Sequence, residues 1–244
     1  MEIYKEKVIK AGEIAIQNVI EQKPKAIKNK EPLMIEYARY GKDYFQNNKI
    51  KFMVVGRAPG GFKNKNDCNV MIESDNNIYS FDREKISYCF DVHCKEGLNW
   101  IHAPNKEKGK RFIDAKPFFR FAKKVYLKLT EQEQDIEWYK NICHSNIYKI
   151  VSTTGGNPSS KLAKAQEEEM INILMAEIEH FKPTHILVID GEGLEHCWCP
   201  PKYKERLKNY ASECSAKIWF SDRPEVNSAD KLILRIDESF WITE

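Results

Sequence analysis

The chain has 244 residues, of which 42% are hydrophobic and 11% aromatic, as is ordinary for a soluble globular protein. The 39 basic and 36 acidic residues give a formal net charge of +3, so charge alone neither identifies nor excludes a nucleic-acid partner. No run of about 20 apolar residues is present, and charges are spread through the N-terminal segment, so we expect no membrane span, no signal peptide and a cytoplasmic location.

The cysteines do not predict a disulfide framework. There are seven of them, an odd number, and they are scattered along the chain. The nearest approach to a metal cluster is the group Cys89, Asp91, His93 and Cys94, which lacks a second ligand pair at a suitable distance. We therefore expect thiols in or near a core, and we predict no metal and no other cofactor.

Two helices are predicted in residues 1–47, with breaks near Pro24 and Pro32. The first has apolar residues at roughly helical intervals between Ile9 and Ile20. The second is predicted from Pro32 to Gln46, and its apolar residues are Leu33, Ile35, Tyr37, Tyr40 and Tyr44.

A short apolar run, Lys51 to Gly56, is typical of a buried strand and leads directly into a glycine-rich loop. That loop reads Gly56-Arg57-Ala58-Pro59-Gly60-Gly61. Its glycines allow close approach of a ligand to the backbone, and its amides can form an anion-binding nest. The alternative is a tight turn between strand and helix with no ligand. The pattern is neither the dinucleotide-binding fingerprint nor the P-loop.

The remaining elements follow in alternation. Residues 62–112 are polar and are expected to form an insertion with its own hairpin or short helices, or a lid. Further helices are predicted from Pro117, from Ser159 or Ser160 to about Phe181, and over about 201–212. Further strands are predicted over 145–152, 183–190 and 217–220, with an edge strand over 232–236.

This alternation indicates a three-layer α/β/α fold with a mostly parallel central sheet of about four strands, taken as one domain over residues 1–244. In such sheets, ligands bind beyond the carboxyl ends of the strands. The loops 56–61, 152–158 and 221–224 are predicted to lie there.

Four segments resemble, in the same order, motifs of the uracil-DNA glycosylase superfamily. Val54 to Gly60 resembles the V-G-E-A-P-G motif of the branch typified by thermophilic bacteria, and Lys116-Pro117-Phe118 resembles R-P-F. Ser145 to Lys149 resembles T-N-V-V-K. Asn157-Pro158 with the following helix, then His180 to Val188, resembles the helix ending in I-K-P-K and its apolar strand. The resemblance covers about two thirds of the chain and implies that superfamily's fold.

The resemblance also implies residue roles. Phe118 would stack on a base flipped out of DNA, and Asn146 would read the base edge. Other contacts to the base are expected from Gly56, Ala58, Pro59 and Gly60, and contacts to phosphate from Gly61, Asn157 and Ser221. The alternatives are an ordinary core phenylalanine at 118, and an asparagine at 146 that caps the strand end or bonds a neighbouring loop.

The chain departs from the family pattern at its two predicted catalytic residues, Arg57 and Arg223. Arg57 stands where relatives have a polar residue, and Ala58 stands where the best-known branch has a water-activating aspartate. Arg223 stands in the place of the histidine of the H-P-S motif, where it could stabilise a leaving base or clamp a phosphate. The alternative is a surface arginine paired with Asp222 or Glu225.

A third departure concerns iron–sulfur chemistry. The thermophile-type branch holds a cluster on cysteines that precede its first motif. This chain has no cysteine before Cys68, so we expect no such cluster.

Three functions are consistent with these observations. The first is a DNA-repair glycosylase, a hydrolase that cuts the bond between a damaged pyrimidine and deoxyribose in single- or double-stranded DNA. The second is an inactive nucleic-acid or nucleotide-binding protein on the same fold. The third is a different hydrolase that uses polar residues of the 62–112 segment. The sequence makes no prediction of oligomeric state.

Overall fold

The computed structural model describes residues 2–22, 33–46, 49–58, 71–74, 78–102, 104–105, 110–111, 116–134, 137–152, 157–191, 199–224 and 227–241. The chain divides into two compact units. The first contains residues 1–38, 57–95 and 146–180, and the second contains residues 39–56, 96–145 and 181–244.

Seven α-helices and eleven strands lie in the described ranges. The helices are α1 (Glu2–Glu21), α2 (Arg83–Glu96), α3 (Pro117–Leu129), α4 (Ser160–Phe181), α5 (Pro201–Glu213), α6 (Ala229–Ile233) and α7 (Glu238–Trp241). The strands are β1 (Leu33–Ile35), β2 (Arg39–Tyr40), β3 (Phe52–Gly56), β4 (Met71–Ser74), β5 (Ile78–Phe81), β6 (Pro104–Asn105), β7 (Lys110–Arg111), β8 (Ile142–Asn146), β9 (Ile150–Ser152), β10 (His185–Ile189) and β11 (Lys217–Ser221). None of the helices among these residues is long and apolar enough to cross a membrane.

The second unit is built on a mixed five-stranded sheet in the order β11-β10-β3-β8-β2. Strands β11, β10 and β3 run parallel, with His185 opposite both Lys217 and Phe52, whereas β2 runs antiparallel to β8. All residues of β3 and β10 are buried, which explains why both strands are continuous apolar runs in the sequence. Helix α3 contributes Phe121 and Val125 to the core that contains β3.

The first unit contains α1, α2 and α4 together with two antiparallel strand pairs. In the first pair, Leu33 of β1 lies opposite Ser152 of β9, and Ile35 lies opposite Ile150. The second pair is the hairpin formed by β4 and β5. The long helices α1 and α4 each bury an apolar stripe, represented by Ile16 in α1.

The α/β class predicted from the sequence is confirmed, with five strands in the mixed sheet rather than about four. Helices α1, α3, α4 and α5 and strands β3, β10 and β11 lie where the patterns predicted them. The 62–112 segment contains the predicted hairpin, β4 with β5, but its helix α2 has 14 residues and buries Ile86, Phe90 and His93. The three-layer arrangement and the single domain over 1–244 stay predictions.

The helix predicted from Pro32 to Gln46 is wrong. This segment instead forms β1, β2 and a short 3-10 helix over Tyr44–Gln46. Three consecutive residues, Leu33, Met34 and Ile35, are all buried. Antiparallel pairing with β9 satisfies the backbone of this run, so distant pairing overrides the local pattern.

Two strand predictions are also corrected. The edge strand predicted over 232–236 is wrong, because α6 occupies Ala229–Ile233 and the Ser228 hydroxyl caps it by accepting the Lys231 N–H. The strand predicted over 145–152 is two strands, β8 and β9, separated by residues 147–149.

Gly41 occupies a position in the second unit that cannot accept a side chain. Its N–H donates to the Ile142 carbonyl over 2.9 Å, and a Cβ atom at this residue would overlap backbone atoms of Tyr139 and Lys140. We therefore expect Gly41→Ala to lower the free energy of unfolding by about 1–3 kcal/mol, measured by urea denaturation. Ser212→Ala, at an exposed position in α5, is the control and should change it by less than about 0.5 kcal/mol. Equal midpoints for the two variants would contradict the steric argument.

His180, near the end of α4, should make the stability of the protein sensitive to acid. Its ring stacks on Tyr4 with centroids 4.1 Å apart, and partial burial lowers its pKa from the ordinary 6.5. The unfolded chain therefore binds more protons at this site than the folded chain does. The contribution of neutral His180 to the free energy of unfolding is fully present above pH 6.5 and is lost as the pH falls through the lowered pKa. Denaturation midpoints between pH 7.5 and roughly pH 4.5 should fall less steeply in His180→Gln than in the wild type. If the midpoints of the wild type and of His180→Gln fall equally with pH, His180 is not the source of the acid sensitivity.

Candidate functional site

The glycine-rich loop begins where β3 ends. Gly56 is buried as the last residue of β3, and Arg57 and Ala58 follow it as half-buried residues. The predicted contacts of Pro59, Gly60 and Gly61 lie outside the described residues. The roles assigned to Arg57 and Ala58 stay predictions.

A backbone hydrogen bond joins this loop to the segment that follows β8. The Tyr148 N–H donates to the carbonyl oxygen of Arg57 over 2.9 Å. Tyr148 lies two residues beyond Asn146, and all three residues belong to the first unit. The two sequence segments that were predicted to hold a base are therefore bonded to each other.

Asn146, the last residue of β8, is 4% exposed and makes a side-chain hydrogen bond inside the first unit. Its Nδ2 donates to Oε2 of Glu36 over 3.0 Å, and Glu36 is itself only 3% exposed. An asparagine amide has two N–H donors and a carbonyl acceptor, so this bond uses one of the two donors. The contact realises the alternative in which Asn146 bonds a neighbouring segment, and it is compatible with base reading by the rest of the amide.

Glu36 lies in a segment that is anchored at three consecutive residues. The N–H of Glu36 donates to the Lys149 carbonyl over 2.9 Å. The N–H of Tyr37 donates to Nδ1 of His93 over 3.2 Å, and the N–H of Ala38 donates to the Glu177 carboxylate over 2.8 Å. These three bonds fix the backbone that carries the Glu36 side chain.

A fully buried ion pair lies in the segment that follows Asn146. The Lys149 ammonium lies 2.7 Å from the Glu177 carboxylate, and the two side chains are 1% and 0% exposed. Gln166 of α4 accepts the N–H groups of Lys149 and Ile150 over 2.9 and 2.8 Å and donates to the Ile150 carbonyl over 2.7 Å. This network fixes the chain immediately after Asn146, because the Lys149 ammonium and the backbone groups of residues 149 and 150 are paired with buried side chains.

The neighbouring Tyr37 adds no charge to the network. Its side chain is 1% exposed, and burial, reinforced by nearby acidic groups, raises its pKa well above the ordinary value of 10.0. The phenol is therefore neutral at any physiological pH.

The cysteine and histidine group of α2 has a packing role. Cys89 is buried, and His93 accepts the Tyr37 N–H through Nδ1. Across the part of the chain that the structure describes, no three His, Cys, Asp or Glu side chains are grouped so as to hold a metal.

Phe118, the predicted stacking residue, lies in the first turn of α3 in the second unit. Its ring is half-buried and meets Phe119 and His144 edge-on, with centroid distances of 4.9 and 5.7 Å. It packs against the core of the unit, as the alternative of a core phenylalanine requires, yet it is not fully enclosed. Its stacking role stays a prediction.

The loop after β11 carries Ser221 and Arg223. Ser221 is 4% exposed, and its hydroxyl donates to the Asp222 carbonyl over 3.3 Å. Asp222 forms an ion pair with Arg235 over 2.9 Å, so one of the two carboxylates considered for Arg223 is engaged by another arginine. Arg223 is half-buried, and its carbonyl accepts the Asn227 N–H over 3.2 Å. Glu225 lies outside the described residues.

The predicted site residues are divided between the two units. Arg57, Ala58, Asn146 and the exposed Asn157 belong to the first unit, and the second unit holds Gly56, Phe118, Ser221 and Arg223. Within the first unit the structure brings the segments of Arg57 and Asn146 together. The phosphate contacts of Asn157 and Ser221 stay predictions.

Sequence reasoning missed Glu36 and His144. Glu36 follows three buried apolar residues and precedes a tyrosine, and an acidic residue inside such a run is a signal of a partnered buried charge. His144 lies inside β8, where it contacts Phe118 and Phe119. The predicted strand began one residue later, at Ser145, and so left His144 unexamined.

No protein-family model matches the sequence, and no curated protein matches it either. A functional proposal for this chain consequently depends on its own residues and their geometry.

Proposed function

We propose that this chain is a uracil-DNA glycosylase-like protein that binds a base flipped out of DNA and hydrolyses the N-glycosidic bond of a damaged pyrimidine. The observation that carries the proposal is the hydrogen bond from Tyr148 to the Arg57 carbonyl. It connects the loop after β3 with the strand end that carries Asn146. Two segments that resemble base-holding motifs are thus adjacent, although about 90 residues of sequence separate them.

Recognition of the base is assigned to Asn146 and Phe118. The amide of Asn146 offers a donor and an acceptor on one plane, which suits the edge of a pyrimidine. Phe118 offers an aromatic face, and stacking of a base on such a face contributes about 1–3 kcal/mol.

The chemistry is a displacement at the anomeric carbon. Water adds its oxygen to C1′ of deoxyribose, the bond from C1′ to the base nitrogen breaks with its electron pair on the base, and the proton that the water loses passes through solvent to that base nitrogen. Arg223 would stabilise the anionic leaving base, because a guanidinium is a permanent cation with several donors. The amides of the loop after β3 would orient the water, and Arg57 would add a second cation.

A second candidate is a binding protein that holds the base and does not cut the glycosidic bond. The observation in its favour is Ala58, whose methyl group can accept no proton from water. Arg57, its described neighbour in the loop, is a permanent cation and cannot act as a base at neutral pH.

An oligonucleotide assay separates the two candidates. Single- and double-stranded oligonucleotides with one uracil are incubated with excess protein, abasic sites are cleaved with alkali, and binding is measured at several salt concentrations. An otherwise identical oligonucleotide with thymine is the control. Abasic product from the uracil strand alone supports the glycosylase. Salt-dependent binding without product supports the binding protein. Absence of both overturns the proposal.

A further inference from the structure

We propose that Glu36 is a positioning residue that fixes the orientation of the Asn146 amide and thereby makes the site select between a uracil-type and a cytosine-type base edge. This inference rests on the proposed function, in which Asn146 reads the base. It concerns a residue that no family motif in the sequence contains.

The contact itself defines the orientation of the amide. Nδ2 of Asn146 lies 3.0 Å from Oε2 of Glu36, and both side chains are at least nine-tenths buried. Oε2 accepts this bond, and the NH2 group is the part of the amide that can donate to a carboxylate. Rotation of the amide by half a turn would set its carbonyl oxygen against the carboxylate, which is repulsive.

The backbone that carries the Glu36 carboxylate is held at three consecutive residues. Residues 36, 37 and 38 donate their N–H groups to Lys149, His93 and Glu177, over 2.9, 3.2 and 2.8 Å. Lys149 is in turn held by the buried pair with Glu177. The Glu36 side chain itself is only 3% exposed, so close packing restricts its rotamers and keeps the carboxylate against the amide.

Orientation decides which base the amide matches. Uracil presents a carbonyl acceptor at position 4 beside an N–H donor at position 3, whereas cytosine presents an amino donor beside a nitrogen acceptor. An amide that rotates freely can pair with either edge by exchanging its oxygen and nitrogen. An amide held by Glu36 pairs with one, and on the proposed function that one is uracil. The other base meets two like groups, which leaves buried polar atoms unpaired.

The decisive variant is Glu36→Gln. Glutamine has nearly the same volume, but its own amide can either accept from Asn146 or donate to it, so both orientations become allowed. Affinity and base release are measured for matched oligonucleotides that differ only in carrying uracil or cytosine. We expect the uracil-to-cytosine ratio to fall by about tenfold or more in Glu36→Gln. If Glu36 only stabilised the local structure, the variant would lower the values for uracil and for cytosine together and leave their ratio unchanged.

A matched control exists on α4, where Glu169 accepts a hydrogen bond from Nδ2 of Asn172 over 3.1 Å at a half-buried position. Glu169→Gln changes the same pair of groups away from the site and should leave the ratio at the wild-type value. Wild-type protein that neither binds nor releases uracil overturns the proposed function and this inference with it. An active wild type whose ratio survives in folded Glu36→Gln overturns only the role of Glu36.

A second measurement needs no activity and no variant. In a heteronuclear NMR spectrum of the wild type, one side-chain amide proton of Asn146 should exchange slowly with solvent, because it is held by a buried carboxylate. Two rapidly exchanging protons on this amide would overturn the inference even if Glu36→Gln failed to fold.

Discussion

Asn146→Ala is expected to lower the release of uracil from DNA by roughly a hundredfold or more, the order of magnitude seen when one preorganised donor is removed from an active site. The amide is the one side chain among the predicted base contacts that can both donate to and accept from the base edge. Its removal also leaves the Glu36 carboxylate in a buried position facing an apolar methyl group. The rate of abasic-site formation under single-turnover conditions is the measurement.

The control for this variant is Asn172→Ala, which removes another glutamate-bonded amide at a half-buried position on α4. Thermal unfolding of both variants separates a lost contact to the base from a lost fold. If folded Asn146→Ala releases uracil at the wild-type rate, Asn146 does not read the base. If both variants lose activity equally, the effect is not local to Asn146.

The parts of the fold that the sequence predicted correctly are those governed by local patterns. Strands β3 and β10 are continuous apolar runs because every residue in them is buried. Helix α3 begins at Pro117, whose fixed backbone angle suits the first turn of a helix. Its buried apolar residues recur at helical spacing along its length. Sequence alone carries these features because each depends on neighbours within a few residues.

The segment from Pro32 to Gln46 failed because its pattern fits two structures. Leu33, Ile35 and Tyr37 recur at every second residue, which is the period of a strand, while the wider spacing to Tyr40 and Tyr44 fits a helix. Pairing of β1 with β9 decides between them, and β9 lies more than 100 residues along the chain. Local propensity has no access to a partner at that distance.

The candidate site shows the same division. The segments of Arg57 and Asn146 were found by their residues, and their adjacency follows from the fold. Glu36 was not found, because its apolar neighbours indicate a buried charge without indicating the partner, and that partner, Asn146, lies 110 positions away. Buried polar pairs of this kind are specified by tertiary structure rather than by sequence spacing.

The buried ion pair between Lys149 and Glu177 has the largest expected effect on stability. Neither group is exposed, and their charged atoms lie 2.7 Å apart. Lys149→Met removes the cation and leaves the Glu177 carboxylate without its counter-ion, in contact with the Ala38 N–H. We expect the free energy of unfolding to fall by about 3–5 kcal/mol, measured by urea denaturation, because a buried carboxylate loses its lysine partner. The double variant Lys149→Met/Glu177→Leu should recover part of this loss, since it removes both charges.

Helix α4 also carries a control ion pair with the same distance between its charged atoms. Glu179 of α4 forms an ion pair with Lys7 over 2.7 Å, but both side chains are about half exposed. Lys7→Met should therefore cost less than about 1 kcal/mol, because water screens the exposed pair. A cost for Lys149→Met as small as that for Lys7→Met would show that the buried pair does not hold the segment beside Asn146. Loss of base selection in Lys149→Met at a temperature where it remains folded would link the ion pair to the orientation of Asn146, since the pair holds the residue whose backbone carbonyl accepts the Glu36 N–H.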